Sequence, residues 1–151
     1  MNRRSLFFAP LALLLAPLGA PRARARSFTL GAIEIGHPWA EPTTGDVAAV
    51  FMVLANMGNK PDRLISAATP VADTVLFQDY GNRPVAAFDL PPKRPVALRP
   101  GGRHIVLQGL NQRLAVGDGF PLTLRFAAAG NTTIIVQVEH GAAEPVPSPA
   151  H

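Results

Sequence analysis

The 151-residue sequence contains no cysteine, and this absence excludes several kinds of chemistry. Disulfide bonds, cysteine-ligated zinc, thiol catalysis and the cysteine ligand of blue-copper sites all need this residue. A domain folded from this sequence must therefore be stabilised by its core alone. A chain of this length buries roughly two thirds of its unfolded surface, which is sufficient for such a core.

The sequence also lacks the motifs of the common enzyme classes. It has no Gly-x-Ser-x-Gly nucleophile elbow, no phosphate-binding glycine loop and no His-Glu-x-x-His zinc motif. Its acidic residues are spread singly and mostly fall in predicted turns, whereas acid–base catalysis needs converging carboxylates or a His–carboxylate pair. We predict that the protein is not an enzyme.

Residues 1–25 predict an export signal. A short basic region precedes an apolar run, residues 6–20, which two prolines interrupt, and Ala23-Arg24-Ala25 has the small-x-small pattern of a cleavage site. The run is too short for a comfortable membrane span. The Arg3-Arg4 pair fits the twin-arginine route as well as an ordinary secretory leader. The predicted location of the mature protein is the periplasm.

Removal of this leader changes the charge balance. Four of the 14 basic residues precede the proposed cut, so ten remain beside the ten acidic residues. The mature part is then close to neutral, and the high sequence pI of about 10.7 is largely a property of the leader. A nucleic-acid-binding domain would need a basic stripe on its folded surface, which this balance does not support.

Most of the remaining chain consists of short apolar or alternating runs separated by turn signals. This pattern predicts an all-β fold. The predicted strands are residues 28–35, 47–56, 62–68, 74–80, 85–90, 96–98, 104–108, 122–126 and 132–139. Residues 36–40 are predicted to end the first strand. The apolar run 47–56 predicts a strand buried on both faces, or a strand and its bend, and Gly130-Asn131 predict positive φ angles in the last hairpin. Such spacing is typical of an antiparallel β-sandwich over residues 26–139, followed by a flexible tail, residues 140–151.

One histidine stands out as a candidate metal ligand. His104 follows a Pro-Gly-Gly turn and opens an alternating strand. Imidazole binds several metals and thioether sulfur favours copper(I). The competing interpretation is that His104 is an ordinary hydrogen-bonded or exposed side chain. The remaining candidates are dispersed: His37 at a strand end, His140 and His151 in the tail, Met52 in an apolar run, and Met57 beside a glycine.

A set of short matches, in family order, resembles the periplasmic copper chaperones of the PCu(A)C type. The matching pieces are Pro38-Trp39-Ala40, Asn56-Met57-Gly58, Pro61–Ile65, Thr69–Ala72, Leu98–His104, Gln108-Gly109-Leu110, Gly117-Asp118 and Pro121–Leu124. The resemblance covers roughly residues 33–138. It implies a cupredoxin-like (immunoglobulin-like) β-sandwich and a role in carrying copper(I) toward the copper centre of cytochrome oxidase, with copper-centre assembly proteins as partners.

The same resemblance implies that the copper site of this chain is degenerate. The family binds copper(I) through two histidines and two methionines. Gln78 stands at the first histidine position, Ala87 or Phe88 at the first methionine, and Val106 at the second methionine, so only His104 remains. Copper(I) is then expected to bind weakly or not at all, unless Met57, His37 or the tail histidines contribute. The alternative is a non-metal periplasmic binding or adaptor domain that keeps only the scaffold.

Overall fold

The computed structural model describes residues 26–141, which form an all-β fold with one short 3₁₀ turn, Tyr80–Asn82. The predicted leader, residues 1–25, and most of the predicted tail, residues 142–151, lie outside the described part. The strands, β1 to β11, are Ser27–Leu30, Ile33–Ala40, Val47–Asn56, Asp62–Ala68, Ala72–Asp79, Arg83–Val85, Phe88–Leu90, Pro95–Leu98, His104–Leu110, Gly119–Phe126 and Gly130–Val138. In residues 26–141, no helix is long and apolar enough to cross a membrane.

The strands join into one hydrogen-bonded sheet in the order β6-β5-β9-β3-β2-β11-β10-β4-β7, with β1 on β2 and β8 on β3. The all-β prediction is therefore confirmed. One pairing departs from the expected antiparallel arrangement, because β11 runs parallel to β2 through the pairs Gln137–Trp39 and Val138–Ala40. The other pairings between these strands are antiparallel.

The apolar run that forms β3 has one buried face and one outward face. Its even-numbered residues, from Ala48 to Asn56, are buried. On the opposite face Phe51 is buried as well, Ala49 and Ala55 are partly exposed, and Val47 and Val53 are exposed. The predicted burial on both faces therefore holds at Phe51 and fails at Val47 and Val53. Side chains alternate along a strand, and a run without polar residues consequently leaves apolar side chains pointing outward.

Several predicted boundaries were also wrong. The predicted strand 28–35 is a hairpin, because Gly31 adopts a positive φ of 56° and turns the chain between β1 and β2. β2 does not end at Gly36 but continues to Ala40 through a register shift. The predicted strand 85–90 is interrupted: Val85 ends β6, and Phe88–Leu90 form a separate strand, β7, which pairs with β4 rather than with β5. In the last hairpin, Gly130 has a positive φ, but Asn131 does not.

Residues 99–103 form a loop that interrupts a strand rather than reversing the chain. β8 and β9 both run antiparallel to β3, with Leu98 opposite Met52 and Ile105 opposite Val50. The Arg99 N–H donates to the Arg103 carbonyl at 2.8 Å and closes the neck of the loop. The predicted Pro-Gly-Gly turn is present, and it lies beside the residue of β3 between these pairs, Phe51.

Candidate functional site

His104 and Gln78 meet on the outward face of the sheet. They are cross-strand partners in the antiparallel pairing of β9 with β5, and their side chains are part-buried. His104 Nε2 lies 2.9 Å from Gln78 Oε1. The positions that the family resemblance matched to two histidine ligands are therefore neighbours in space.

The loop before β9 orients the imidazole of His104. His104 Nδ1 lies 2.8 Å from the Gly102 carbonyl oxygen, which only accepts hydrogen bonds, so Nδ1 must carry a proton. In the neutral ring, Nε2 then holds the free electron pair and faces Gln78. A backbone carbonyl that fixes one ring nitrogen and leaves the other free is a common arrangement for metal-binding histidines.

This geometry predicts the tautomer of neutral His104. We expect the Nδ1-protonated form. Its Nε2 carries no proton and cannot donate to Gln78 Oε1. The Gln78 amide is therefore expected to rotate, so that its NH₂ group donates a hydrogen bond to Nε2. Nitrogen-15 chemical shifts of the neutral imidazole measure this directly. A predominantly Nε2-protonated ring would contradict the assignment.

Aromatic rings lie on the other side of His104. The ring centroids of Phe51 and His104 are 6.4 Å apart, and those of Trp39 and Phe51 are 4.7 Å apart. Trp39 and Phe51 are paired between β2 and β3. The sequence did not predict this contact, because residues 36–40 were expected to end the first strand, whereas β2 continues through Trp39.

The positions matched to the methionine ligands hold no donor for copper(I). Val106 lies on the same face as His104, two residues along β9, and is 6% exposed. Phe88 is buried, and its ring packs against Phe77 with centroids 5.0 Å apart. Of the two positions matched to the first methionine, only Ala87 is partly exposed. Aliphatic and phenyl side chains offer no electron pair to a metal.

Two of the suggested substitute ligands, Met57 and His37, have other surroundings than His104. Met52, for which core packing is the favoured role, lies in the core. Met57 is at the far end of β3, six residues from Phe51, which is about 20 Å along a strand. His37 Nε2 is 2.6 Å from Glu139 Oε1, a pair that the sequence reading missed because 102 residues separate them. Within residues 26–141, no three His, Asp or Glu side chains form a group that would hold a metal ion. His151 lies outside the described residues.

A charged and aromatic rim borders the site on its loop side. Arg103 Nε is 3.5 Å from Asp79 Oδ1, and the Arg103 guanidinium carbon lies 5.8 Å from the centre of the Tyr80 ring. Asp79 Oδ1 also accepts a hydrogen bond from the Tyr80 backbone N–H. These contacts hold the 99–103 loop against the end of β5 and so stabilise the position of Gly102.

Two sequence comparisons bear on this fold and site. Residues 33–138 match the family described as putative lipoprotein LpqE-like. Among curated proteins, the putative lipoprotein Lxx21020 of Leifsonia xyli subsp. xyli is 24% identical over 115 residues, which cover 71% of this chain and 69% of that protein.

Solved structures of PCuAC domains have the same fold. The copper-bound PCuAC domain from PmoF2 is 32% identical with a TM-score of 0.71, and the match covers 76% of this chain and 97% of that domain. The apo PCuAC domain from PmoF1 is 26% identical with a TM-score of 0.72, covering 76% and 98%. CuI-DR1885 from Deinococcus radiodurans, at 22% identity and a TM-score of 0.62, covers 78% and 83% and shares the fold. The chain therefore belongs to the LpqE-like family, and its described part is a PCuAC domain.

Proposed function

We propose that this protein handles copper(I) outside the cytoplasm through a degenerate site in which His104 is the one remaining family ligand. The observation that carries the proposal is the orientation of His104, whose Nδ1 is fixed by Gly102 and whose Nε2 faces the outer surface beside Gln78. Its PCuAC relatives include a domain described as copper-bound, which supports a copper-handling role.

Such a site is expected to bind copper(I) weakly. Copper(I) prefers soft sulfur and imidazole ligands, and the immediate neighbours of His104 Nε2 and Nδ1 are an amide and a carbonyl oxygen. A metal at Nε2 must also displace the amide group of Gln78, which costs a hydrogen bond. Weak binding of this kind suits brief transfer better than storage.

The remaining features of the proposal concern location, partners and fold subclass. We propose residues 1–25 as an export signal, residues 26–139 as a cupredoxin-like sandwich domain, residues 140–151 as a flexible tail, and the periplasm as the working compartment. The partners proposed are assembly proteins of the copper centre of cytochrome oxidase, and the role is not enzymatic. The relatives described as lipoproteins and as PCuAC domains support export and copper handling.

A complementation experiment tests the delivery role. Deleting the gene should lower the copper content and activity of cytochrome oxidase in cells grown at limiting copper, because one carrier is lost. The intact gene and a His140→Ala variant should restore both, whereas His104→Ala should not. His140 is a suitable control because it is exposed and lies outside the His104–Gln78 pair. Full restoration by His104→Ala would contradict the role of His104.

A second candidate function is a metal-free adaptor domain. The hydrogen bond between His104 Nε2 and Gln78 favours it, because both ring nitrogens then have protein partners without any metal. If copper(I) does not bind the purified protein measurably, this function is the better description of the chain.

A further inference from the structure

The outward side of β3, β9 and β5 carries several exposed apolar side chains among polar ones. Here this outer face means the outward side chains of these three strands: Val47, Ala49, Phe51, Val53, His104, Val106, Gln108, Thr74, Leu76 and Gln78. Val47, Val53 and Leu76 are 51%, 42% and 39% exposed, and Tyr80, 56% exposed, lies at one end of β5. A group of exposed apolar side chains with a polar rim is typical of an interaction site.

The rim of the outer face on the loop side is basic. Arg99 and Arg103 form the neck of the 99–103 loop, and Arg83 lies opposite Asp79 in the backbone pairing of β6 with β5. Asp79 is the acidic residue in contact with this group, through Arg103. The carboxylates Glu41 and Glu139 lie on the far side, on or beyond β2 and β11, and Glu139 is paired with His37. The loop side of the outer face, near His104, is therefore expected to attract negatively charged groups.

The size of the outer face indicates a brief encounter. Three strands about 4.8 Å apart and a length of about 20 Å along β3 give a flat area of roughly 200–300 Å². Stable interfaces bury about 800 Å² on each partner. The area is too small to hold two copies of this chain together permanently, and two copies meeting at their loop sides would place arginines against arginines.

We propose that the outer face docks a partner protein whose contact surface combines an apolar centre with a carboxylate-rich edge. The apolar centre would cover the exposed side chains of Leu76 and Tyr80, and the carboxylates would meet Arg99 and Arg103. Opposite charges at the rim accelerate association and set the orientation of the partner, and Tyr and Arg are residues that often dominate interface energy. The proposal does not require a metal at His104.

Site-specific photo-crosslinking in the producing cells tests the proposal. The photoreactive residue p-benzoylphenylalanine replaces Leu76 on the outer face or, as a control, Val116, a more exposed aliphatic residue between β9 and β10. We expect a crosslinked protein from position 76 and not from position 116, with the crosslink on a net acidic surface of that protein. No crosslink at 76, the same crosslink at 116, or a crosslink to a second copy of the chain would overturn the proposal.

Charge reversal then tests the basic rim with the purified partner. Arg99→Glu/Arg103→Glu should lower the affinity at least tenfold, and the milder Arg99→Gln/Arg103→Gln should lower it less while keeping the fold. Arg113→Glu, an exposed residue beyond the other end of β9, should leave it unchanged. Unchanged binding by both rim variants overturns the proposal. The proposal is also overturned if the protein binds phosphatidylglycerol vesicles and the rim variants abolish that binding without changing the affinity for the partner. The surface would then recognise a membrane.

Discussion

Replacing Gln78 with histidine and Val106 with methionine should raise the affinity for copper(I) by about a thousandfold. A structural zinc site with four ligands, in zinc-finger peptides, binds with roughly 10–16 kcal/mol, and by analogy about 2 kcal/mol for each restored ligand is a modest expectation. Two such ligands contribute about 4 kcal/mol, and 1.4 kcal/mol corresponds to a factor of ten.

The geometry of the outer face suits this restoration. Gln78 is directly opposite His104, and cross-strand partners have Cβ atoms about 4.5–5.5 Å apart. Val106 points to the same side two residues along β9, and its partner on β3 is the small residue Ala49. The new imidazole would thus face His104 across β5 and β9, and the new thioether would lie on the same face of the sheet.

A displaced pair of the same residues provides the control. Thr74 and Gln108 are also cross-strand partners of β5 and β9, four residues from the positions of Gln78 and His104. Thr74→His/Gln108→Met adds the same ligands at the wrong distance from His104, and we expect little gain in affinity. A competition titration against a copper(I) chelator measures both variants. Equal gains in the two variants would show that added ligands act without His104.

Replacing Asp62 with alanine should destabilise the domain by about 2–4 kcal/mol, because Asp62 is 6% exposed and its carboxylate accepts three backbone hydrogen bonds. They come from Arg63 in β4 and from Ala128 and Ala129 in the β10–β11 loop, at 2.7–2.9 Å. Alanine leaves these N–H groups without their acceptor and removes two of the hydrogen bonds that tie the hairpin loop to β4. Urea unfolding followed by circular dichroism measures the loss.

Asp89→Ala is the matched control for this substitution. Asp89 also belongs to the β4–β7 pair, but its side chain is 85% exposed, and it forms only a surface ion pair with Arg63. Such pairs contribute about 0–1 kcal/mol. If Asp62→Ala destabilises the domain no more than Asp89→Ala, the anchoring role of Asp62 is wrong.

The strands themselves were largely predictable, because alternation of apolar side chains is a local property. β4 and β3 were predicted with their observed bounds, although Val47 and Val53 of β3 are exposed rather than buried. The sheet order and the partner change of β3 from β9 to β8 depend on contacts between distant residues, which a local pattern does not contain. The 99–103 loop shows the difference: its glycines predict a turn, but only the pairing of both flanking strands with β3 shows that the chain keeps its direction.

The identities of the residues at the candidate site were predictable from the sequence, but their contacts were not. His104, and the replacement of its expected companions by Gln78 and Val106, are visible in the sequence. The contact of Gln78 with His104 depends on the register of β5 and β9. The aromatic rings of Phe51 and Trp39 beside it depend on the continuation of β2 through its register shift, which nothing local in residues 36–40 indicates.

A copper(I) titration of the purified protein against a competing chelator tests the degenerate site most directly. We predict binding at least about ten-thousandfold weaker than in a PCuAC domain that keeps all four ligands, because three missing ligands at about 2 kcal/mol each amount to about 6 kcal/mol. This binding should be lost in His104→Ala and kept in His140→Ala. An affinity equal to that of a four-ligand domain, or binding unaffected by His104→Ala, would contradict the proposal that His104 is the surviving ligand of a degraded site.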